Sequence, residues 1–309
     1  MDKPTAIILA GPTASGKTDL AVRLVRELDC EIISVDSAMV YRGMDIGTAK
    51  PEADVLAQAP HRLIDVRDPA ESYSAADFRG DALAAMEEIR EAGRIPLLVG
   101  GTMLYFRSLL NGLSPLPQAD PAVRARLDTE LAAKGLAALH ARLAGVDPIA
   151  ARRIHPNDPQ RIQRALEVYE ITGQSLSAFH EQAGEALPWN TIRIGLEFED
   201  RGVLHDRIER RLAAMFGAGL VDEVDGLFRR GDLHGELPSM RSVGYRQVWR
   251  HLAGDVDLDA ARSQALYATR QLAKRQMTWM RREVNELTLE ATQENLADRV
   301  LKYLTKASY

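Results

Sequence analysis

Residues 5–18 read Thr-Ala-Ile-Ile-Leu-Ala-Gly-Pro-Thr-Ala-Ser-Gly-Lys-Thr. The first six form an unbroken apolar run, which is typical of a strand buried on both faces. Apolar residues at helical spacing follow from Lys17 to Leu28 and predict a helix. The glycine-rich octet at 11–18 therefore lies between a strand and a helix.

The octet has the spacing of a phosphate-binding loop, two glycines separated by four residues and followed by Lys and Thr. Glycine lets the backbone curl so that successive amides face an anion, and the helix N-terminus adds positive potential. We expect Lys17 to supply a charge and Thr18 to ligate Mg²⁺. The motif predicts a di- or triphosphate ligand, as in ATP-binding proteins, without identifying the reaction. The candidate diphosphate-binding residues are Gly11, Pro12, Thr13, Ala14, Ser15, Gly16, Lys17 and Thr18.

Two further apolar runs extend the pattern beyond this loop. Glu31 to Val35 predicts a strand that ends at Asp36, and Ile95 to Val99 predicts one that ends before Gly100-Gly101-Thr102. Helical spacing from Leu83 to Ala92 lies between them. This alternation predicts an α/β fold with a P-loop parallel sheet core. Ligands of such sheets bind beyond the C-terminal strand ends, so the three loops should open onto one crevice.

Asp36 and Thr102 each allow two interpretations. Asp36 is either a general base close to the phosphates or a cap of the following loop. Thr102 is either a phosphate donor or the N-cap of a helix that begins near Met103. The loop after the third strand has no acidic residue to serve as a second magnesium ligand, which disfavours an ATPase.

The chain changes character from about Ser114. Up to about Pro188 it has helix formers and caps, such as Asp158-Pro159, but no convincing strand. Ile192 to Phe198 then predicts a strand, and mainly helical sequence follows. We therefore expect a core formed by 1–113 and 191–309, with a helical C-terminal region, and a helical insertion at 114–190.

Composition places the chain among globular proteins, since 46% of its 309 residues are hydrophobic and 27% are charged. A single cysteine, Cys30, excludes an intrachain disulfide and a cysteine-rich zinc site. No apolar run approaches the roughly 20 residues of a membrane span. The start of the chain lacks the pattern of a secretory signal, so we expect a cytoplasmic protein. Nothing in the sequence indicates an obligate interface, and we expect a monomer.

Positive charge is concentrated late in the chain, although the formal net charge is -5. Residues 260–282 contain six Lys or Arg residues and no acidic one, with Tyr267 and Trp279 among them. Smaller basic clusters lie at 160–164 and 241–246. A charge run is usually a solvated face, but an unbalanced one with aromatic residues also suits an RNA backbone. Both interpretations stay open on charge alone.

Five motifs together resemble those of the bacterial tRNA dimethylallyltransferases. They are Gly-Pro-Thr-Ala-Ser-Gly-Lys-Thr at 11–18, Asp-Ser-Ala-Met-Val-Tyr at 36–41, Gly-Thr-Ala-Lys-Pro at 47–51, Gly-Gly-Thr-Met-Leu-Tyr at 100–105 and Arg-Ser-Val-Gly-Tyr-Arg at 241–246. The octet alone is widespread, whereas the ordered set is specific. The resemblance runs in order over almost the whole chain.

The resemblance implies transfer of a dimethylallyl group from dimethylallyl diphosphate to N6 of the adenine immediately 3′ of the anticodon in tRNA, with release of diphosphate. Asp36 matches the family's general base. Lys17, Thr102, the loop amides and Mg²⁺ would stabilise the departing diphosphate. Arg211 matches a helix arginine that contacts the diphosphate, with Arg207 as the alternative.

The same resemblance assigns the contacts with the tRNA anticodon stem-loop. It places the target base near Asp36, Ser37, Ala38 and Met39, with Thr102 and Arg124 also in contact. The other predicted contacts fall on the three basic clusters. They are Gln160, Arg161, Ile162, Gln163, Arg164, Arg241, Ser242, Val243, Gly244, Tyr245, Arg246, Lys274, Arg275, Gln276, Met277, Thr278, Trp279, Met280 and Arg281.

Three alternatives remain open from the sequence. One is a small-molecule kinase that uses ATP, with Asp36 as the base for an acceptor hydroxyl. Another is an isopentenyltransferase acting on free adenine nucleotides, which would not need the insertion or the basic clusters. The third is a nucleotide-gated RNA-binding module without chemistry, which leaves Asp36 and Thr102 without a role.

Overall fold

A computed structural model describes residues 3–182, 184–283 and 286–307. The chain forms two compact units. Unit 1 combines Met1–Ser108 with Pro188–Tyr309, and unit 2 is Leu109–Leu187.

Unit 1 is built on a six-stranded sheet in which every pair of neighbouring strands is parallel. Its order is β3-β2-β4-β1-β5-β6. The predicted α/β fold with a parallel core is therefore confirmed. The strands are β1 (Thr5–Ala10), β2 (Cys30–Val35), β3 (His61–Arg62), β4 (Ile95–Gly100), β5 (Asn190–Glu197) and β6 (Leu287–Glu290).

The two central strands of the sheet place the phosphate loop. β1 lies between β4 and β5, with Ala10 opposite Gly100 and Gly195. β2 pairs with β4 on the other side, with Val35 opposite Gly100. The strand ends that precede the octet, Asp36 and Thr102 therefore lie side by side at one edge of the sheet, as predicted.

Helices surround this sheet, and several begin where the sequence places a cap. Ser74 and Asp77 form a capping box at the start of α3, and Asp200 accepts from the Gly202 amide at the start of α9. The helices of unit 1 are α1 (Lys17–Glu27), α2 (Ala53–Gln58), α3 (Ala75–Glu91), α9 (Arg201–Gly217), α10 (Leu220–Phe228), α11 (Tyr245–Leu252), α12 (Leu258–Glu283) and α13 (Leu296–Lys306). α4 (Met103–Asn111) begins in unit 1 and ends in unit 2.

Unit 2 is helical in its described residues and has its own core. Asp120 and Asp158 cap α5 and α7 through their side chains, as the Asp-Pro pattern predicts for α7. Buried Leu127, Leu143 and Leu166 belong to the core of this unit. The helices are α5 (Pro121–Val146), α6 (Pro148–Arg153), α7 (Pro159–Thr172) and α8 (Leu176–Glu181).

The sequence after β5 is predominantly helical, as expected, and contains one strand that was not predicted. Leu287–Glu290 forms β6, which pairs in parallel with β5 through Ile194 and Leu287. A strand of four residues has too little period to be recognised locally, and its pairing partner lies far away in the chain. None of the helices in the described residues is long and apolar enough to cross a membrane.

Candidate active site

The octet forms a loop between β1 and α1 and leads directly into the first turn of the helix. Gly16 is the N-cap of α1 and makes no side-chain cap hydrogen bond, and the first turn of any helix leaves its N–H groups without intrahelical partners. Lys17 folds back over the loop, where Nζ donates to the Pro12 carbonyl at 3.2 Å. The buried Ser15 hydroxyl has no hydrogen-bond partner in the described part of the chain. The Gly11, Thr13 and Ser15 amides already donate within the protein, so the donors left for an anion are the first-turn amides and the Ser15 hydroxyl.

Two cations and one carboxylate share the space beside this loop. Burial and the neighbouring Arg211 lower the pKa of Lys17 to about 8, although Asp36 acts in the opposite direction. Burial also lowers the pKa of Arg211, against the influence of Asp36 and Asp19. Lowered pKa values mean that the charged forms lack compensation, and a bound anion would supply it. The charge balance of the site favours a bound anion.

A cavity of about 740 Å³ opens beside the loop and extends this positive region. Its walls include the loop residues 14–16 and the α9 residues Arg207, Arg210 and Arg211. Nη1 of Arg207 lies 3.5 Å from the Ala14 carbonyl, and its guanidinium stacks over Phe198. Arg23 also lines the cavity and forms an ion pair with Asp298. Both α9 arginines named from the sequence, Arg207 and Arg211, therefore border the loop.

Asp36 caps the turn that follows β2. Its Oδ1 accepts from the amides of Ala38 at 2.8 Å and Met39 at 3.2 Å. Asp36 is therefore a cap of the following loop, as one of the two interpretations stated, but the cap uses only one carboxylate oxygen. Oδ2 makes no hydrogen bond within the described residues, so the cap leaves one carboxylate oxygen to accept a proton.

Thr102 joins the loops that follow β2 and β4. Its Oγ1 accepts the Ser37 amide at 3.0 Å, and it lies 3.4 Å from the Ser37 hydroxyl. The helix α4 begins with the Thr102 carbonyl, which accepts from the Tyr105 and Phe106 amides. The side chain, which also donates to the Ser37 hydroxyl, thus holds the segment 36–39 against the β4 loop.

Gln276 of α12 connects this site from the opposite end of the sequence. Its Oε1 accepts the Thr13 amide at 2.9 Å, and its Nε2 donates to the Gly101 carbonyl at 2.9 Å. A Cβ on Gly101 would lie 2.5 Å from Nε2, so a larger residue at 101 would displace the Gln276 amide. Sequence reasoning missed the bridge. The only available signal was a polar residue on the buried face of a basic helix.

The motifs at 47–51 and 241–246 meet at a half-buried carboxylate, Glu223 of α10. It accepts the amides of Asp45, Ile46 and Gly47 at 2.9, 2.7 and 3.1 Å. The Tyr245 hydroxyl also donates to Glu223, and burial raises the pKa of Tyr245. A Cβ on Gly47 would lie 2.5 Å from the Tyr245 ring. These motif residues therefore hold the loop after β2 in place.

The other predicted RNA contacts of unit 1 divide by exposure. Gly244, Tyr245, Gln276, Met277 and Met280 are buried. Ser242 and Val243 are half-buried, as is Trp279, which stacks against Phe106 with 6.1 Å between centroids. The exposed positions, which alone present full side chains to a partner, are Arg241, Arg246, Lys274, Arg275, Thr278 and Arg281.

Unit 2 uses two of its predicted RNA-binding arginines internally. Glu167 is fully buried, and it accepts from Nε of Arg124 at 2.8 Å and from Nη1 of Arg164 at 2.6 Å. Ile162 is buried, and the Gln163 amide donates to Asp128. Gln160 and Arg161 are exposed at the start of α7.

Known proteins resemble the whole chain. The family profile described as IPP transferase matches residues 39–283. The tRNA dimethylallyltransferase of Thioalkalivibrio sulfidiphilus is 64% identical over 279 residues, which is 90% of this chain and 87% of the relative. That of Alkalilimnicola ehrlichii is 60% identical over 305 residues, or 98% and 96% of the two chains.

Solved structures match the fold over the same length. The tRNA isopentenylpyrophosphate transferase of Bacillus halodurans is 38% identical with a TM-score of 0.72, covering 99% of this chain and 96% of that one. A eukaryotic dimethylallyltransferase acting on tRNA is 25% identical with a TM-score of 0.80, covering 98% and 80%.

Proposed function

The chain belongs to the IPP transferase family, and from that premise we propose that it transfers a dimethylallyl group from dimethylallyl diphosphate to N6 of the adenosine immediately 3′ of the anticodon in tRNA, releasing diphosphate. The observation that carries the proposal is the grouping of Lys17, Arg211 and Asp36 beside the loop amides. Cations for a leaving diphosphate and a carboxylate for a proton are the two requirements of this reaction.

Departure of the diphosphate is the first requirement. As the allylic C–O bond breaks, the carbon becomes cationic and both electrons of the bond stay on the diphosphate oxygen. Lys17, Arg211 and the amides of Gly16, Lys17 and Thr18 would stabilise that oxygen, whereas the Thr13 and Ser15 amides already donate within the protein. Thr102 would add a hydroxyl donor if its O–H turned from the Ser37 hydroxyl to the diphosphate. Because these groups are fixed before the reaction, they lose little reorganisation energy in the transition state.

Proton removal is the second requirement. The N6 lone pair of adenine is delocalised into the ring, so attack on the allylic carbon is assisted by a base that takes an N6 proton. Asp36 is our candidate because the turn amides fix Oδ1 and leave Oδ2 unused. N6 then carries the new C–N bond, and the proton lies on Asp36 before solvent removes it.

Mg²⁺ fits this site through substrate oxygens and one hydroxyl. Thr18 lies half-buried in the first turn of α1, next to the amides that would hold the diphosphate. Mg²⁺ sites of this kind use one or two protein ligands, together with waters and phosphate oxygens. The described residues contain no group of three His, Cys, Asp or Glu that could hold a metal without a substrate. When bound, the ion would neutralise charge on the departing diphosphate.

The tRNA would be held by the exposed basic residues. In unit 1 these are Lys274, Arg275, Arg246 and Arg281, and in unit 2 Arg161 at the start of α7. We propose the helical insertion at 114–190 as a second contact for the anticodon stem-loop, with Arg124 and Arg164 stabilising it through Glu167. Because the proposed substrate is tRNA, we expect the enzyme to act in the cytoplasm. We also propose that it acts as a monomer.

The test is mass spectrometry of a synthetic anticodon stem-loop after incubation with the protein, Mg²⁺ and dimethylallyl diphosphate. We expect the RNA to gain one dimethylallyl group, and a stem-loop without the target adenosine to stay unchanged. Parallel reactions contain ATP in place of dimethylallyl diphosphate, or AMP in place of RNA. Phosphate on an acceptor would support a kinase, and prenylation of AMP at a comparable rate would support a free-nucleotide transferase. An unchanged RNA mass would contradict the proposal.

A further inference from the structure

A second cleft, separate from the phosphate loop, lies between α9 and α12 of unit 1. Its volume is about 210 Å³. Buried Leu204 and Met277 give it an apolar floor. Its polar walls are formed by Arg201, His205, Tyr267, Arg270, Gln271 and Lys274.

The cleft carries uncompensated positive charge. Arg201, Arg270 and Lys274 line it, and no acidic residue does. Arg270 forms an ion pair with Glu209 through Nη2 at 2.9 Å, but its buried Nε has no partner in the described chain. Arg201 and Lys274 are exposed and form no ion pair with any described residue. The cleft is therefore short of an anion.

Tyr267 gives the same cleft an exposed aromatic surface. Its relative exposure of 66% exceeds that of the other exposed large hydrophobic residues, such as Leu104 at 59%. Burial of an aromatic ring is favourable, so a ring left in water beside an apolar floor is available for a planar ligand. Stacked bases are the common ligands of such rings in single-stranded nucleic-acid sites.

We propose that this cleft binds one unstacked nucleotide of the RNA substrate, with its base against Tyr267 and its phosphate between Arg201, Arg270 and Lys274. The proposal rests on the proposed function and adds a base-binding site to it. The cleft has room for one base, and its charge matches one phosphate group. The cationic side chains and the aromatic surface together favour a nucleotide as the ligand. An acidic protein segment would not need the exposed ring.

The position of the cleft suits a nucleotide that belongs to the same RNA as the target base. α12 carries both Gln276, which contacts the phosphate loop, and Tyr267, nine residues earlier and about 13 Å along the helix. Lys274 lines the cleft and is also one of the exposed cations proposed for the stem-loop. A single RNA strand could therefore contact both places.

The test measures binding of the anticodon stem-loop by Tyr267→Ala. Loss of one base-stacking contact is worth about 1–3 kcal/mol, so affinity should fall about 5- to 150-fold. Tyr267→Phe keeps the ring and should bind close to the parent. Tyr303→Ala removes a half-buried tyrosine of α13 outside the cleft and serves as the matched control. Binding of dimethylallyl diphosphate by each variant reports whether it is folded.

Stem-loops that lack a single base identify the nucleotide. In the parent, removing the base that occupies the cleft should weaken binding about as much as Tyr267→Ala does. In Tyr267→Ala, removing that base should cost nothing more, because both changes delete one contact. Unchanged affinity of Tyr267→Ala, or additive losses at every base, would overturn the proposal.

AMP alone provides the last comparison. Binding of AMP that depends on Tyr267 and persists in the presence of saturating stem-loop would assign the cleft to a free nucleotide and overturn the RNA assignment. All of these readouts are binding measurements. Failure of the parent to modify the stem-loop would contradict the proposed function, whereas failure of the Tyr267 comparison contradicts this inference alone.

Discussion

The ammonium group of Lys17 is placed to change partners during the reaction. It donates to the neutral Pro12 carbonyl, and a diphosphate would replace this bond with a stronger, charge-assisted one. We expect Lys17→Ala to lower the transfer rate by about 100-fold or more, because the leaving group loses a cation. Steady-state rates with a stem-loop check this. Lys3→Ala removes an equal charge at an exposed position and should keep the parent rate. Near-normal turnover by Lys17→Ala would mean that the loop does not hold the diphosphate.

The lowered pKa of Lys17 predicts a pH dependence of its own. Because burial and Arg211 lower this pKa to about 8, the charged form is lost from the unliganded protein as the pH rises through that value. Affinity for dimethylallyl diphosphate should then fall by up to about tenfold per pH unit. The ligand's own phosphoryl groups titrate near pH 6 and add nothing there. Lys17→Arg stays charged and should give a flat profile. Calorimetric titrations from pH 7 upward would show it, and a constant parent affinity would contradict the role of Lys17.

Asp36→Asn separates the two roles of that side chain. The amide oxygen can still accept from Ala38 and Met39, so the turn and the RNA affinity should be retained. Loss of the base should slow transfer by at least about 100-fold at saturating RNA. Asp36→Ala also removes the cap and should weaken RNA binding. Single-turnover rates and stem-loop affinities distinguish the outcomes. Fast chemistry with poor binding in Asp36→Asn would make Asp36 a positioning residue.

Among single residues, a role could be predicted from the sequence when the residues that determine it are neighbours in the chain. The octet was predicted from the sequence because its spacing and its strand-helix setting are contiguous. Gln276 was named only as an RNA contact, and its bridging role was not predicted because its partners Thr13 and Gly101 lie 263 and 175 residues away. The capping role of Asp36 was one of two open interpretations, and only the geometry showed that the cap leaves Oδ2 unused.

The helix α12 contacts the phosphate loop through the side chain of Gln276. In Gln276→Glu the carboxylate can accept from the Thr13 amide but cannot donate to the Gly101 carbonyl, and it adds negative charge beside the diphosphate. We expect the KM for dimethylallyl diphosphate to rise about tenfold, since a buried carbonyl is left unsatisfied. The increase in KM should become smaller at low pH, because a protonated carboxyl group at position 276 can donate to the Gly101 carbonyl.

Gln264→Glu is the matched control for that change. Gln264 is exposed on the same helix and accepts from Arg250 at 3.2 Å, which a carboxylate can also do. Its kinetics should match the parent at every pH. A Gln276→Glu defect that did not respond to pH, or one confined to RNA affinity, would contradict the bridging role.

Elements with long apolar runs were predicted closely, and short ones were not. The predicted strands at 5–10 and 95–99 correspond to β1 and β4. β3 has two residues and β6 has four, and both lie at the edges of the sheet. Their existence depends on β2 and β5 as pairing partners, which no local window contains.

Over the whole molecule, the charge distribution explains how an acidic protein could bind RNA. The formal net charge of -5 repels a phosphate backbone, so binding must depend on local cations. Lys274 and Arg275 are exposed and form no ion pair with any described residue, whereas Arg124 and Arg164 are engaged by Glu167. The sequence predicted the basic clusters but could not tell engaged arginines from available ones, because Glu167 is buried only in the folded unit.

Neutralising Lys274 and Arg275 together, as Lys274→Gln with Arg275→Gln, should therefore weaken stem-loop binding and flatten its salt dependence. When a phosphate contact is lost, fewer counterions are released on binding. The slope of log affinity against log salt then becomes less steep by up to about one per contact. Lys302→Gln with Lys306→Gln on α13 removes the same charge from exposed positions elsewhere and should leave the slope unchanged. Affinity for dimethylallyl diphosphate should be unaffected in both double variants. Equal slopes for the parent and the α12 variant would exclude these residues from the RNA interface, whereas equal effects of the two double variants would mean that only net charge matters.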